Sequence, residues 1–384
     1  MMTTGNQSTQ LQLRSLVHST GHLELSLAEI PIPSFAANEV LVRIEAAPLN
    51  PSDLRLLFGA ADMATARASG TALRPVVTAD IKPAGVKAMT QRLGQSLPVG
   101  NEGAGIVVGA GDSPDARALL GKTVAVRGGA MYSQYRNIAA DQCLVLPDGV
   151  TSVEGASAFI NPMTALGMMD TMRSEGHTAL VNTAAASNLG QMLNRLCIEE
   201  QVALVNIVRD ASQERLLRDS GAAYVCNSRA EDFWQQLTEA LVATGATIAF
   251  DATGGGSLAS DILNAMEAAA GRRPGTYSRY GSTVHKQVYL YGNLDPRPTV
   301  IDRDAGMAWS VGGWLVSNFM QKCEPAKFKA LKLRIAQGIK TTFASHYAKQ
   351  LALRDVLALD MIAEYQLKAT GQKFLVAPNV SRAL

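Results

Sequence analysis

Between Thr178 and Tyr291 short apolar runs alternate with helical stretches, and this alternation constrains the fold more than any other feature of the chain. Strand-like runs fall at 178–182, 202–208, 224–226, 247–251 and 288–291, with helical stretches up to Glu199 and over 212–220, 233–243 and 258–270. Strand, helix, strand in repetition is the mark of a parallel sheet whose crossover helices cover both faces. The fold class is therefore α/β, with a doubly wound parallel sheet in the middle of the chain. The helical stretch 156–172 leads into it, and a mostly helical return closes with a short strand at 373–376.

The first 150 residues read differently. Val40-Leu41-Val42-Arg43-Ile44-Glu45 alternates in the two-residue period of a strand, and Pro31, Pro33 and Pro48 punctuate the region. Further runs at 100–111, 122–126 and 143–146 end in the turn Pro147-Asp148-Gly149. Many short strands with glycine turns predict a small, barrel-like β domain. The composition supports packed cores, with 47% hydrophobic and 18% charged residues, and excludes a mainly disordered chain. A net charge of +2, and aromatics not interleaved with basic runs, give no reason for a nucleic-acid partner. No apolar run reaches the roughly 18 residues of a membrane helix. Cys143, Cys197, Cys226 and Cys323 form no C-x-x-C pair, which suits core thiols of a reducing compartment. The opening MMTTGNQSTQ lacks a basic and then apolar leader, so a cytoplasmic protein with a frayed start is expected.

The turn after the first strand of the α/β half is the candidate anion cradle. The usual phosphate fingerprint G-x-G-x-x-G reads here as Ala185-Ala186-Ser187-Asn188-Leu189-Gly190, with two of the three glycines replaced. Small residues still let backbone amides approach a pyrophosphate at the start of the next helix, and a tight turn without a ligand is the competing reading. The second strand ends in Arg209-Asp210. Arg209 suits a ribose 2′-phosphate, which favours NADPH, whereas Asp210 keeps NAD open, since an acid about 20 residues past the glycines binds the ribose diol. A solvated arginine at a strand end is the plainer alternative.

Taken in order, several short motifs resemble the medium-chain dehydrogenase/reductase family, in its zinc-independent, quinone oxidoreductase-like (zeta-crystallin-like) branch. They are Asn50-Pro51-Ser52-Asp53 followed by Gly59, Gly100-Asn101-Glu102-Gly103, Tyr132-Ser133-Gln134-Tyr135, Leu146-Pro147-Asp148-Gly149-Val150, Pro162-Met163-Thr164-Ala165, Ser220-Gly221-Ala222 and Tyr291-Gly292-Asn293. The resemblance runs from about Leu41 to Val376. It implies a GroES-like β-barrel catalytic domain over 1–155, a Rossmann dinucleotide-binding domain over 156–316, and a C-terminal return to the catalytic domain over 317–384. It further implies a cleft holding the nicotinamide, with Thr164 near that ring and the 185–190 loop on the pyrophosphate. Tyr291, Gly292 and Asn293 would run past the cofactor, and Lys373 is counted with the cofactor-binding positions. A homodimer joined through the edges of its Rossmann sheets is implied as well.

The departures carry equal weight. Zinc-dependent relatives hold a catalytic metal with a Cys, a His and a second Cys; here the first two positions are Asn50 and Asn101, and 159–163 offers no Cys. Neutral amides are poor zinc ligands, so no metal is expected. Glu102 then reads as a hydrogen-bonding carboxylate and Asp53 as a brace for its loop. Two stretches exceed the compact members, 60–99 and the basic 271–286, as substrate lids or surface decoration. In the second, Arg272, Arg273, Arg279 and Lys286 are candidates for an anionic group. The expected function is hydride transfer from NADPH to a small conjugated carbonyl, a quinone or enone, with Asn50 donating to the developing oxyanion. Alternatives are a 2-enoyl-thioester reductase, which the segment ending in Arg209-Asp210 also resembles, and a nucleotide-binding protein without turnover. Many relatives carry an aromatic hydroxyl two residues past the loop glycine, but Gly59 is followed by Ala60 and Ala61, and no proton donor is evident. Tyr132, Tyr277 and Tyr280 are the substitutes to consider.

Overall fold

The computed structural model describes residues 8–272 and 278–380. Residues 1–7 of the expected frayed start, together with Arg273 and Tyr277, lie outside the described residues. Two compact units emerge, one from 1–160 with 334–384 and one from 161–333. The return to the first unit thus begins at Arg334, where the sequence reading had it at residue 317.

The first unit is built on two sheets. One runs Asp62–Gly70, Pro75–Asp80, His22–Pro31, Thr9–His18, Ser96–Pro98, with every neighbour antiparallel. The other runs Leu144–Val145, Thr123–Arg127, Glu102–Ala110, Glu39–Pro48, Phe374–Val376, Lys349–Leu351, and Tyr135–Ala139 also pairs with Glu39–Pro48. The expected barrel is therefore made of two sheets whose pairing paths have free ends. Glu39–Pro48 shows why the alternation is diagnostic: Val40, Val42 and Ile44 are buried and the residues between them are not. Their side chains join Leu13, Leu25, Val126 and Phe374 in one apolar core. The 60–99 insertion is not a loose lid, because it supplies the hairpin 62–80 and extends the first sheet.

In the second unit six strands lie parallel in the order Tyr224–Asn227, Ala203–Val208, Ala179–Asn182, Ile248–Asp251, Lys286–Leu290, Trp309–Gly313. This is a Rossmann sheet, and its order reverses between Ala179–Asn182 and Ile248–Asp251. Val181, Val205, Ala249 and Val288 pack from the strands against Leu237, Ile262 and Met266 of the crossover helices. The last strand, Trp309–Gly313, escapes the sequence reading. Among the described residues no helix is long and apolar enough to cross a membrane.

Candidate active site

In the second unit the C-terminal ends of the strands converge at the reversal point, where open α/β sheets bind ligands. The turn after Ala179–Asn182 enters the helix Asn188–Glu199, and Ser187 caps that helix by accepting the Gly190 amide on its hydroxyl at 3.1 Å. The left-handed residue of the turn is Ala184 (φ +50°), one position before the fingerprint reading begins. Gly190 is required: a Cβ there would stand 2.2 Å from the Ala185 carbonyl oxygen. The helix therefore starts hard against the loop, with first-turn amides that have no partner inside the helix. Such a cradle suits a diphosphate.

Around it the strand ends are fixed by buried polar contacts. Thr183 donates its hydroxyl to Asp251 Oδ1 at 2.6 Å and accepts the Ala252 amide at 2.8 Å. Asp251 also accepts the amides of Thr253 and Gly254, closing the turn after its strand. Tyr291 donates to Asn182 Oδ1 at 3.4 Å, and burial, then Asp251, pushes its phenol pKa up. Asn182 Nδ2 is buried without an acceptor, a donor left over at the crest of the sheet. Gly292 passes so close to the neighbouring strand end that a Cβ would meet the Ala252 oxygen at 2.4 Å, which explains the glycine in Tyr291-Gly292-Asn293. Thr164 is buried on the helix Ile160–Ser174.

At the second strand end the two adjacent side chains are engaged differently. Asp210 is the N-cap of the helix Ala211–Asp219; it accepts the Gln213 amide at 2.9 Å and the Ser212 hydroxyl at 2.6 Å, which hold its carboxyl below the ordinary range. Arg209 is exposed. The cation is presented and the carboxylate is engaged.

The first unit gathers Asn50, Asp53, Glu102, Tyr132, Tyr347 and Lys373. Asn50 caps the helix Pro51–Phe58, and its backbone amide donates to Asp53 Oδ2 at 2.9 Å while the Asn101 amide donates to Asp53 Oδ1 at 2.8 Å. Glu102 accepts Asn50 Nδ2 at 2.8 Å and the amides of Phe159 and Ile160 at 3.0 and 2.8 Å. Asp53 and Glu102 thus have the bracing roles expected of them. Burial pushes Asp53 up to about 7, against the two amide bonds, and raises Glu102 despite the attraction of Lys373. Burial also lowers Lys373 to about 8, opposed by both carboxylates. The residue itself is half-buried, but its Nζ is closed off from solvent and has no hydrogen-bond partner. The sequence reading took the three ionisable residues one by one; their separations of 49 positions (Asp53 to Glu102) and 271 positions (Glu102 to Lys373) conceal the cluster.

Other candidates are placed elsewhere. Tyr132 is buried and donates to the Pro48 carbonyl at 2.8 Å, so it is a structural phenol. Lys286 is buried against Glu267 at 2.6 Å, with Ser282 Oγ and the Val284 carbonyl as further acceptors, and offers nothing to an anion. Arg279 stacks on Tyr280, 4.6 Å from the ring centroid, on an exposed loop. Among the described residues no group of three or more His, Cys, Asp or Glu is placed to hold a metal.

Comparison with known proteins gives a consistent neighbourhood. No family model matches the sequence. The mitochondrial enoyl-[acyl-carrier-protein] reductase of Xenopus tropicalis is 28% identical over 211 residues, 52% of this chain and 51% of that protein. The chain spans about half or less of the length of the curated relatives it matches. A candidate NADPH:quinone reductase from Mesorhizobium loti superposes with a TM-score of 0.71 at 27% identity, over 97% of this chain and 98% of that one. The Escherichia coli quinone oxidoreductase complexed with NADPH shares the fold, with a TM-score of 0.68 at 18% identity over 97% and 100% of the chains.

Proposed function

From the premise that the chain belongs to the medium-chain dehydrogenase/reductase family, beside quinone oxidoreductases and enoyl reductases, we propose that it reduces a small conjugated carbonyl, a quinone or enone, with NADPH and without a metal. NADPH, when bound, supplies the hydride. The observation that carries the reading is the division of labour at Arg209-Asp210. Asp210 is occupied as a helix cap while Arg209 stands exposed at the strand end, as a 2′-phosphate requires. The residues present fit the dinucleotide: the Ala185–Gly190 cradle would hold its diphosphate, the orphan Nδ2 of Asn182 could donate to it, and Tyr291, Gly292 and Asn293 would run past it. Thr164 is proposed as a contact for the nicotinamide.

In the first unit Asn50 stands where zinc-dependent relatives have a thiolate, and its amide is oriented by Glu102. We assign to Asn50 the donation of a hydrogen bond to the oxyanion that develops on the acceptor, a preorganised electrostatic role.

The second reading, an enoyl-thioester reductase, is favoured by the likeness to the Xenopus protein. It needs a proton delivered to carbon, which is slow without a positioned acid. Ala60 and Ala61 occupy the place after Gly59, and Tyr132 is committed to Pro48. Quinone reduction ends with protonation of oxygen. Quinones should therefore exceed crotonyl- or hexenoyl-thioesters by at least about tenfold in kcat/KM, a barrier difference of ~1.4 kcal/mol. Steady-state NADPH oxidation with each acceptor, with and without a chelator, is the test. A faster enoyl reaction reverses the assignment, loss of activity on chelation ends the metal-free reading, and no oxidation with any acceptor leaves a binding protein without turnover.

A further inference from the structure

An ammonium head group closed off from solvent is normally paired, because each unmet donor forfeits its hydration. Among the described residues Lys373 is the exception, with its Nζ buried and no hydrogen-bond acceptor. Its neighbours are committed elsewhere. Asp53 receives the amides of Asn50 and Asn101, and Glu102 receives the Asn50 side chain and two backbone amides. Tyr347 shows Nζ its ring, with the centroid 5.7 Å away, while its hydroxyl is bonded to Ser157 Oγ at 2.8 Å. The carboxylates hold the charge in place through space without receiving its protons.

We propose that Lys373 Nζ pairs with the oxyanion formed on the reduced acceptor and gives that oxygen its proton. The inference rests on the acceptor reading above and deepens it. The resemblance counts Lys373 with the cofactor; this assignment moves it to the substrate. Lys373 is joined to Asn50 through one carboxylate, since Glu102 both orients the Asn50 amide and attracts the ammonium. Two donors, one neutral and one charged, are thereby fixed by the same anchor.

The step balances. An acceptor that has taken up a hydride carries the added electron pair as an oxyanion. The Nζ–H bond breaks, its electron pair stays on nitrogen as a neutral amine, and an O–H bond forms on the acceptor. When product leaves and water enters the site, a proton from that water restores the ammonium. The depressed affinity of Lys373 for its proton supports the direction: transfer from a group near 8 to a phenolate-like oxygen, with a reference near ~10, is downhill. The titratable groups facing Nζ are Asp53 from the helix Pro51–Phe58, Glu102 from the start of its strand, and Tyr347 from the segment before Lys349–Leu351.

The probe is 4-nitrophenol, whose ionised form is seen by absorbance and mimics the product oxyanion. Wild type should bind it as the phenolate, and Lys373→Met should weaken that binding by at least about tenfold while leaving NADPH affinity, read by fluorescence titration, unchanged. Lys373→Arg, which keeps the charge but holds its protons, should restore phenolate binding and yet slow quinone turnover below pH 8. Should Lys373→Met fail to fold by circular dichroism, Lys373→Arg against wild type carries the test alone. Loss of NADPH affinity with intact phenolate binding would return Lys373 to the cofactor and overturn the proposal. Wild type that binds phenolate but oxidises no NADPH with any acceptor fails the function proposed above, not this assignment.

Discussion

Arg209 and Asp210 are adjacent in sequence and opposite in role. Removing the guanidinium in Arg209→Ala should weaken NADPH by roughly 1–3 kcal/mol, the range of charge-assisted hydrogen bonds, and leave NADH unaffected. Fluorescence titration with both dinucleotides checks it, and equal losses for the two would remove Arg209 from the 2′-phosphate. A pH signature belongs to the same scale. Asp53 has an ordinary value of 3.8 and a folded value of about 7. Over that window the native state keeps a proton the unfolded chain has lost, so the stability Asp53 contributes is present in acid and falls as pH rises towards 7. The Tm of wild type relative to Asp53→Asn should therefore decline between about pH 4 and 7; parallel curves would show that Asp53 is not shifted. Sequence reading found Asn50, Asp53, Glu102 and Lys373 singly because local pattern carries no information on which distant strands pair. That Lys373 meets two carboxylates follows from Leu375 and Val376 lying against Pro48 and Ala47.

At the scale of elements, the cradle loop is held by one cap and one close approach. Ser187→Ala removes the acceptor of the Gly190 amide and should cost about 1 kcal/mol in chemical denaturation. Gly190→Ala places a Cβ where the Ala185 carbonyl oxygen stands and must move backbone, so it should cost more than the cap variant and weaken NADPH as well. An alanine variant of wild-type stability would mean that the loop yields freely. The alternation that identifies this unit was legible because each crossover repeats two periods, 2.0 then 3.6. Trp309–Gly313 was not, since two glycines break its alternation and only pairing with Lys286–Leu290 makes it a strand. The hairpin strand Asp62–Gly70 was missed for a related reason: alanine-rich and mostly exposed, it has little β-propensity and is ordered by its partner Pro75–Asp80.

For the whole molecule, Trp309–Gly313 lies at the end of the Rossmann sheet with one strand neighbour among the described residues, an edge that proteins cover or pair. A second copy pairing there would join two six-stranded sheets by a twofold axis. Light scattering at micromolar concentration should give twice the monomer mass, and Val311→Pro, which removes an amide facing away from Lys286–Leu290, should shift it to the monomer. A wild-type monomer refutes the edge assignment. The discontinuous first unit has a different consequence, for the order in which the protein is made. Glu39–Pro48 receives its partner Phe374–Val376 only after 325 intervening residues (49 to 373) have been synthesised. At about 5–20 residues per second, translation takes roughly 16–65 s to bridge them. The contiguous 161–333 unit is synthesised in full about 40 residues before that partner, roughly 2–8 s earlier at the same rate. Through that interval the Ala47-Pro48 end of the central strand waits without its partner, and the nascent chain must be kept from pairing there with its neighbours.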